Sequence, residues 1–268
     1  MNHNTIYMYL IAPLHTGGAT QEGNLLGIAR ESHTEIPYVP SSTIRGKLRS
    51  LTSANHLNKL WGNTIDDVTN GGDTNLSQGA LWIGDASILW IPVPSLSHGV
   101  VWVTSPLLLR RWARLNAPTS QIPAEYSTNV APGKPVYLKD AILKASDLKK
   151  WSECQQFLPA QATTQTSIEN VVVLPDRHCA TLIQMSLWRQ VKIKLDEHKV
   201  VDGGFRYEEA IPPDTLMYFP WGVTSQANGT GTSAMEDLKD LLIEHPILQI
   251  GGQESLGRGF VQQWIESK

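Results

Sequence analysis

Near its carboxyl end the chain reads Leu248-Gln249-Ile250-Gly251-Gly252-Gln253-Glu254-Ser255-Leu256-Gly257-Arg258-Gly259-Phe260-Val261. Two apolar runs flank a glycine-rich loop, the punctuation of strand, loop and strand. Only nine residues follow Gly259. That is too few for the helix a P-loop needs, and the Lys-Ser/Thr pair of that loop is missing. The glycines allow positive φ and a close approach of backbone to a ligand. Free N–H groups at Gly251 and Gly252, beside Arg258, can hold a phosphate. An ordinary tight turn explains the spacing equally well.

Working upstream, Ala234 to Glu244 has helical periodicity and stops at His245, ahead of Pro246. The region after Val171 is expected to be mostly strand. Within it Val191, Ile193 and Leu195 alternate with Lys192 and Lys194, the period of a half-buried strand. Asp196 to Lys199 make a turn, and Val200-Val201 through Tyr207 return, which predicts a long hairpin over about 188–210. Arg189, Lys192, Lys194, Lys199 and Arg206 give it cations that can track a phosphate backbone. A charged strand edge that resists aggregation is an equally good account of them.

At the other end, Ile6-Tyr7-Met8-Tyr9-Leu10-Ile11 is a first strand, closed by Pro13 and Gly17-Gly18. Pro40 opens a helix whose first N–H groups Ser41 or Ser42 can cap. Ile44, Leu48 and Leu51 form its apolar face, with Arg45 and Arg49 on one flank and Lys47 on the other. Cations on the first turns of a helix suit an anion, although a solvated flank has the same pattern. His15 can act as a base, a metal ligand, a stacking partner or a buried structural histidine. Residues 62–79, rich in Asn, Asp, Thr and Gly, predict a mobile surface loop. Strand-like runs follow at Ala80–Ile83, Ser87–Ile91 and Val100–Thr104, then a helix from Pro106, with irregular insertions over about 116–169. The alternation predicts one α+β domain with a mainly antiparallel sheet.

Composition narrows the function. The 268 residues are 41% hydrophobic, enough for a sizeable core, and carry a net charge of −3. A free-standing DNA-binding domain is usually basic, so nucleic-acid contacts have to come from local clusters. No apolar run is long enough to cross a membrane, and two cysteines make no disulfide framework, which points to the cytoplasm. His178-Cys179 has no second pair at zinc-ligand spacing. There is no Gly-x-Ser-x-Gly elbow and no His-Glu-x-x-His. The nine tryptophans lie mostly in apolar runs and are expected in the core.

Taken in order, several segments resemble the RAMP superfamily of CRISPR proteins. They are His15-Thr16-Gly17; Arg30 through Pro40; Ser41 to Arg49; Gly84-Asp85-Ala86; Pro92 to Leu96; Trp102 to Pro106; Gly203 to Glu209; Ile211 to Thr215; and the loop Gly251 to Gly259. The pattern is most similar to the repeated backbone subunit of type III-B (Cmr) complexes, the fourth Cmr subunit. This resemblance implies an RRM-like (ferredoxin-like) core with long insertions and a β-hairpin thumb, here about 188–210. It implies copies of the chain in a filament along a guide RNA (crRNA), with a complementary target RNA and other type III subunits as partners. The residues it places on RNA are His15, Gly17, Ser42, Arg45, Lys47, Arg49, Arg189, Lys192, Lys194, Arg206, Gly251, Gly252 and Arg258.

The sequence departs from the family at one place. Members that cut target RNA carry an aspartate in the loop that here reads Gln21-Glu22-Gly23-Asn24-Leu25-Leu26-Gly27. Neither leucine nor asparagine can take a proton as a base or bind magnesium as a carboxylate does. Glu22, Asn24 and His15 are the remaining candidates for chemistry, with magnesium implied only if target RNA is cleaved. A scaffold that binds guide RNA, a metal-dependent endoribonuclease of the same fold and a stand-alone guide-processing ribonuclease are the three readings.

Overall fold

A computed structural model describes residues 3–22, 25–65, 69, 75–131, 133–166, 168–227 and 229–265. At its centre the strand His3–Leu10 pairs antiparallel with Leu216–Val223 on one side and Phe260–Ile265 on the other. Successive side chains of a strand point to opposite faces. Ile6, Met8 and Leu10 accordingly enter one core, and Tyr7 and Tyr9 another. Both faces are covered, which is why this strand is a continuous apolar run rather than an alternating one. The sheet continues from Leu216–Val223 through Ala86–Ser95, Gly99–Thr104 and Val171–Val173, and ends beyond Phe260–Ile265 at Ile247–Gln249. Pairing is antiparallel along this path except between Val171–Val173 and Gly99–Thr104.

Helices cover the first face, Ala54–Trp61 with Leu60 and Trp61 among them. Ser41–Leu51 contributes Ile44 and Leu48, Asp176–Ser186 contributes Cys179, Leu182 and Ile183, and Gly231–Glu244 contributes Ala234, Leu238 and Leu242. The helix Pro106–Asn116 covers the second face with Leu109, Trp112 and Ala113, joined by Trp151 and Phe157. Two of the tryptophans there have their N–H groups satisfied. Trp112 Nε1 donates to the Tyr7 hydroxyl at 2.8 Å and Trp90 Nε1 to the Phe157 carbonyl at 3.0 Å. Each large side chain taken out of water adds roughly 1.5–3 kcal/mol.

A second, smaller sheet sets the site. Trp188–Leu195 and Val201–Ala210 form the expected hairpin. Val201–Ala210 then pairs in parallel with Leu25–Ile28, which pairs with Gly17–Glu22. At the hairpin turn Asp196 Oδ1 accepts from the N–H groups of His198 and Val200, and Lys199 takes φ 60°.

Three expectations need correction. The region after Val171 is not mostly strand, because Asp176–Ser186 is helical; Cys179, Leu182 and Ile183 recur at helical spacing and are buried. No serine side chain caps Ser41–Leu51; the Ser41 N–H donates instead to Asp85 Oδ1 at 2.6 Å. The irregular region 116–169 contains short strands, Val136–Leu138 and Ala141–Leu143 among them, and a short helix, Ala160–Gln165. The helix Ala54–Trp61 follows Ser41–Leu51 and leads into the loop expected at 62–79. Within that loop, residues 66–68 and 70–74 lie outside the described residues. Among the described residues no helix is long and apolar enough to cross a membrane.

Candidate nucleic-acid interface

The glycine-rich loop is seated on the segment that carries His15. The Gly252 N–H donates to the His15 carbonyl at 3.0 Å, and the Gly259 N–H to Pro13 at 2.9 Å. Gly251 holds φ +83°, and a Cβ there would sit 2.4 Å from the His15 carbonyl oxygen. Only glycine allows that approach. The His15 ring is buried and its Nδ1–H donates to the Glu209 carbonyl at 2.7 Å. Of the four roles open to His15 in the sequence, this geometry matches the structural one.

Segments far apart in sequence meet beside this loop. Gly17, Thr43, Lys47, Gln249, Gly251 and Gly252 line an open cleft of about 320 Å³. Helix Ser41–Leu51 delivers Thr43 and Lys47 on successive turns, and Ser42 is exposed on its first turn. Lys47 enters no ion pair among the described residues. The two arginines of that helix are occupied elsewhere. Arg45 donates to the Trp61 carbonyl and lies over the Trp61 ring, 6.0 Å from its centroid. Arg49 donates to the Gly62 carbonyl at 2.7 Å. Together they close the carboxyl end of helix Ala54–Trp61, where cations are favoured.

The hairpin cations are organised from beneath by two buried carboxylates that the sequence reading did not single out. Glu208 receives Lys192 Nζ at 2.8 Å, Arg206 at 3.0 Å, Arg258 at 3.1 Å and Gln253 Nε2 at 2.9 Å. Glu209 receives Arg30 at 2.5 Å and Arg189 Nε at 2.9 Å. Burial pushes the Glu208 carboxyl up, but Lys192, Gln253 and Arg206 outweigh it and leave it below the usual glutamate range. The sequence signal was available: two consecutive acids stand near the end of a strand, opposite the cations Arg189 and Lys192 of its hairpin partner.

Arg258 is a correction. The resemblance places it on RNA, yet its side chain is buried, lies 4.4 Å from the Trp188 ring centroid and donates to Glu208, Gln253 and Gln190. It organises the loop from inside. The hairpin does not bury its apolar side as expected. Lys192 turns inward to Glu208, and Val191, Ile193 and Leu195 are about half exposed. Lys194 pairs with Asp202 on the exposed side. Of the chemical candidates, Glu22 ends the strand Gly17–Glu22, its side chain lies outside the described residues, and so does Asn24. Among the described residues no group of three or more His, Cys, Asp and Glu side chains converges on a metal position.

The profile of the RAMP superfamily matches residues 7–262. A relative from Pyrococcus furiosus, the CRISPR system Cmr endoribonuclease Cmr4, is 29% identical over 95% of this chain and 92% of its own. The crystal structure of oligomeric Cmr4 from Pyrococcus furiosus superposes with a TM-score of 0.71 at 24% identity, covering 99% of this chain and 98% of that one. A chain of the type III-B Cmr-beta complex in its apo state gives a TM-score of 0.72 at 20% identity, covering 98% and 96%. A glycine-rich loop seated on the first strand's exit, in a chain matched from Tyr7 to Gln262, places this protein in the RAMP superfamily.

Proposed function

We propose that this chain is a guide-RNA-binding backbone subunit of a type III-B CRISPR effector complex, repeated along the guide and facing a complementary target RNA. Its relatives support the assembly: one is described as oligomeric Cmr4, and another chain belongs to a Cmr-beta complex bound to cognate target RNA. The observation that carries RNA binding is the cleft where Lys47, Thr43, Gly17 and the Gly251-Gly252 backbone converge. The Gly252 N–H expected to be free is taken by the His15 carbonyl; the Lys47 ammonium and the Thr43 hydroxyl beside the glycine backbone recognise a phosphate and no particular base, so sequence choice is left to base pairing. The chain is one RAMP domain. Its core is RRM-like, built on His3–Leu10 and its two antiparallel neighbours, and its thumb is the hairpin Trp188–Ala210. The acidic balance is compatible with this role, because each copy neutralises only a few phosphates.

The test is to co-express the chain with its neighbouring genes, purify the complex and sequence the RNA it carries. Guide-length RNAs with a common repeat-derived tag are expected. A discrete monomer free of RNA would overturn the proposal.

Target cleavage is the second reading, supported by the description of the Pyrococcus relative as an endoribonuclease. The described residues offer magnesium no ligand set, and Glu22 is the one acid of the 21–27 loop. Cleavage of a matched RNA that Glu22→Gln abolishes would establish that reading.

A further inference from the structure

We infer that Glu208 and Glu209 form a buried latch that locks the hairpin to the glycine-rich loop and aims Arg189 and Arg206 outward as anion ligands. The ligand is taken to be RNA phosphate, so that half rests on the function proposed above; the mechanical coupling does not.

Consecutive residues of a strand face opposite sides. Glu208 gathers one side: Lys192 and Arg206 from the hairpin, Arg258 and Gln253 from the loop. Gln190, its partner across the strands, adds a second tie by accepting from Arg258. Glu209 gathers the other side. It faces Arg189 across the strands and binds Arg30 from the segment after Leu25–Ile28, while its carbonyl holds His15. Because His15 also accepts from Gly252, the loop is tied to both glutamates.

The arrangement is not simple neutralisation. Five cations meet two carboxylates, so a surplus of three positive charges remains. The acids are 0% and 1% exposed, whereas Arg189 and Arg206 are 55% and 59% exposed. Arg189 reaches Glu209 through Nε, and Arg206 reaches Glu208 through one terminal nitrogen. A guanidinium has five N–H donors in a fixed fork. Arg189 is hydrogen-bonded through Nε to a hidden acid and Arg206 is held beside one by charge, so each arginine has donors left to present to solvent, with part of its side-chain entropy already lost before the anion arrives.

The sign of a substitution separates latch from bystander. Glu208→Gln and Glu209→Gln each remove a negative charge beside cations. Charge alone would then tighten RNA binding and steepen its salt dependence. The latch predicts the reverse: several-fold weaker retention of guide RNA at moderate salt, with the slope of log K against log salt shallower by about one phosphate contact. Hydrogen exchange in Glu208→Gln should accelerate about tenfold, equivalent to about 1.4 kcal/mol, in both 188–210 and 251–259, with 3–10 unchanged. Gln253→Ala, at the partly exposed end of the contact, should accelerate 251–259 even if the glutamate variants do not fold. Tighter RNA binding by Glu208→Gln, or acceleration confined to the hairpin, would overturn the inference. If the unmodified complex holds no RNA, the functional proposal fails, and exchange alone then decides the latch.

Discussion

Replacing Arg258 by methionine keeps the length of the side chain and its contact with Trp188, but takes the guanidinium from Glu208, Gln253 and Gln190. Breaking one side of a buried charge pair costs about 3 kcal/mol, which urea unfolding of Arg258→Met would measure. Gly251→Ala should also destabilise, by about 1–3 kcal/mol, because its φ is left-handed and a Cβ meets the His15 carbonyl. The folded chain holds the carboxyls of Glu208 and Glu31 below their ordinary value of 4.5. A group depressed on folding contributes stability above its unfolded pKa and loses it as pH falls through the folded one. The denaturant midpoint should therefore drop as pH falls below 4.5, and less steeply in Glu208→Gln. Burial pushes the Cys179 thiol up to about 12, so thiol reagents at pH 8 should label it only at the rate of unfolding. At this scale the sequence shows charges more readily than their directions. Arg258 and Lys192 were visible as charges, but their inward direction depends on Glu208, and no local pattern announces that partner.

Elements were legible where their signals were local. The strand His3–Leu10, the hairpin around Asp196 and the helix ending at His245 each carry their own periodicity and stop signals. The helix Asp176–Ser186 was lost between two strand-like stretches, although Cys179, Leu182 and Ile183 stand at helical spacing. The cap of Ser41–Leu51 was illegible for a different reason: it comes from Asp85, forty-four positions away. Asp85→Ala should cost about 1 kcal/mol by loss of that cap, measured by thermal unfolding. The hairpin deserved its alternation but not its polarity, since a projecting ribbon has no core to bury its apolar side. Ile193→Thr should consequently change stability by no more than about 0.5 kcal/mol, whereas a similar change at fully buried Ile6 should cost several times that.

For the whole molecule, net charge was the least informative number in the sequence. What matters is that Lys47 stands near neutral glycine backbone, and that Arg189 and Arg206 are exposed while their acids lie hidden beneath. Lys47→Ala should flatten the salt dependence of RNA retention by about 0.9, with little change in melting temperature. Family membership was readable because the motifs recur in order along nearly the whole chain, and the profile match from residue 7 to 262 agrees. The convergence of Gly17, Lys47 and Gly252 was not readable, because it arises only when the small sheet folds against the end of the large one.

The central sheet carries one more consequence. A four-stranded RNA-recognition sheet usually keeps a face open so that its aromatic residues can stack on bases. Here Tyr7 and Tyr9 on one side and Ile6 and Met8 on the other are all interior. With no open face at these residues, an RNA held as proposed above would meet loop ends and the hairpin through its sugar-phosphate spine. Such a surface would be indifferent to spelling, so that one protein could carry guides of any sequence.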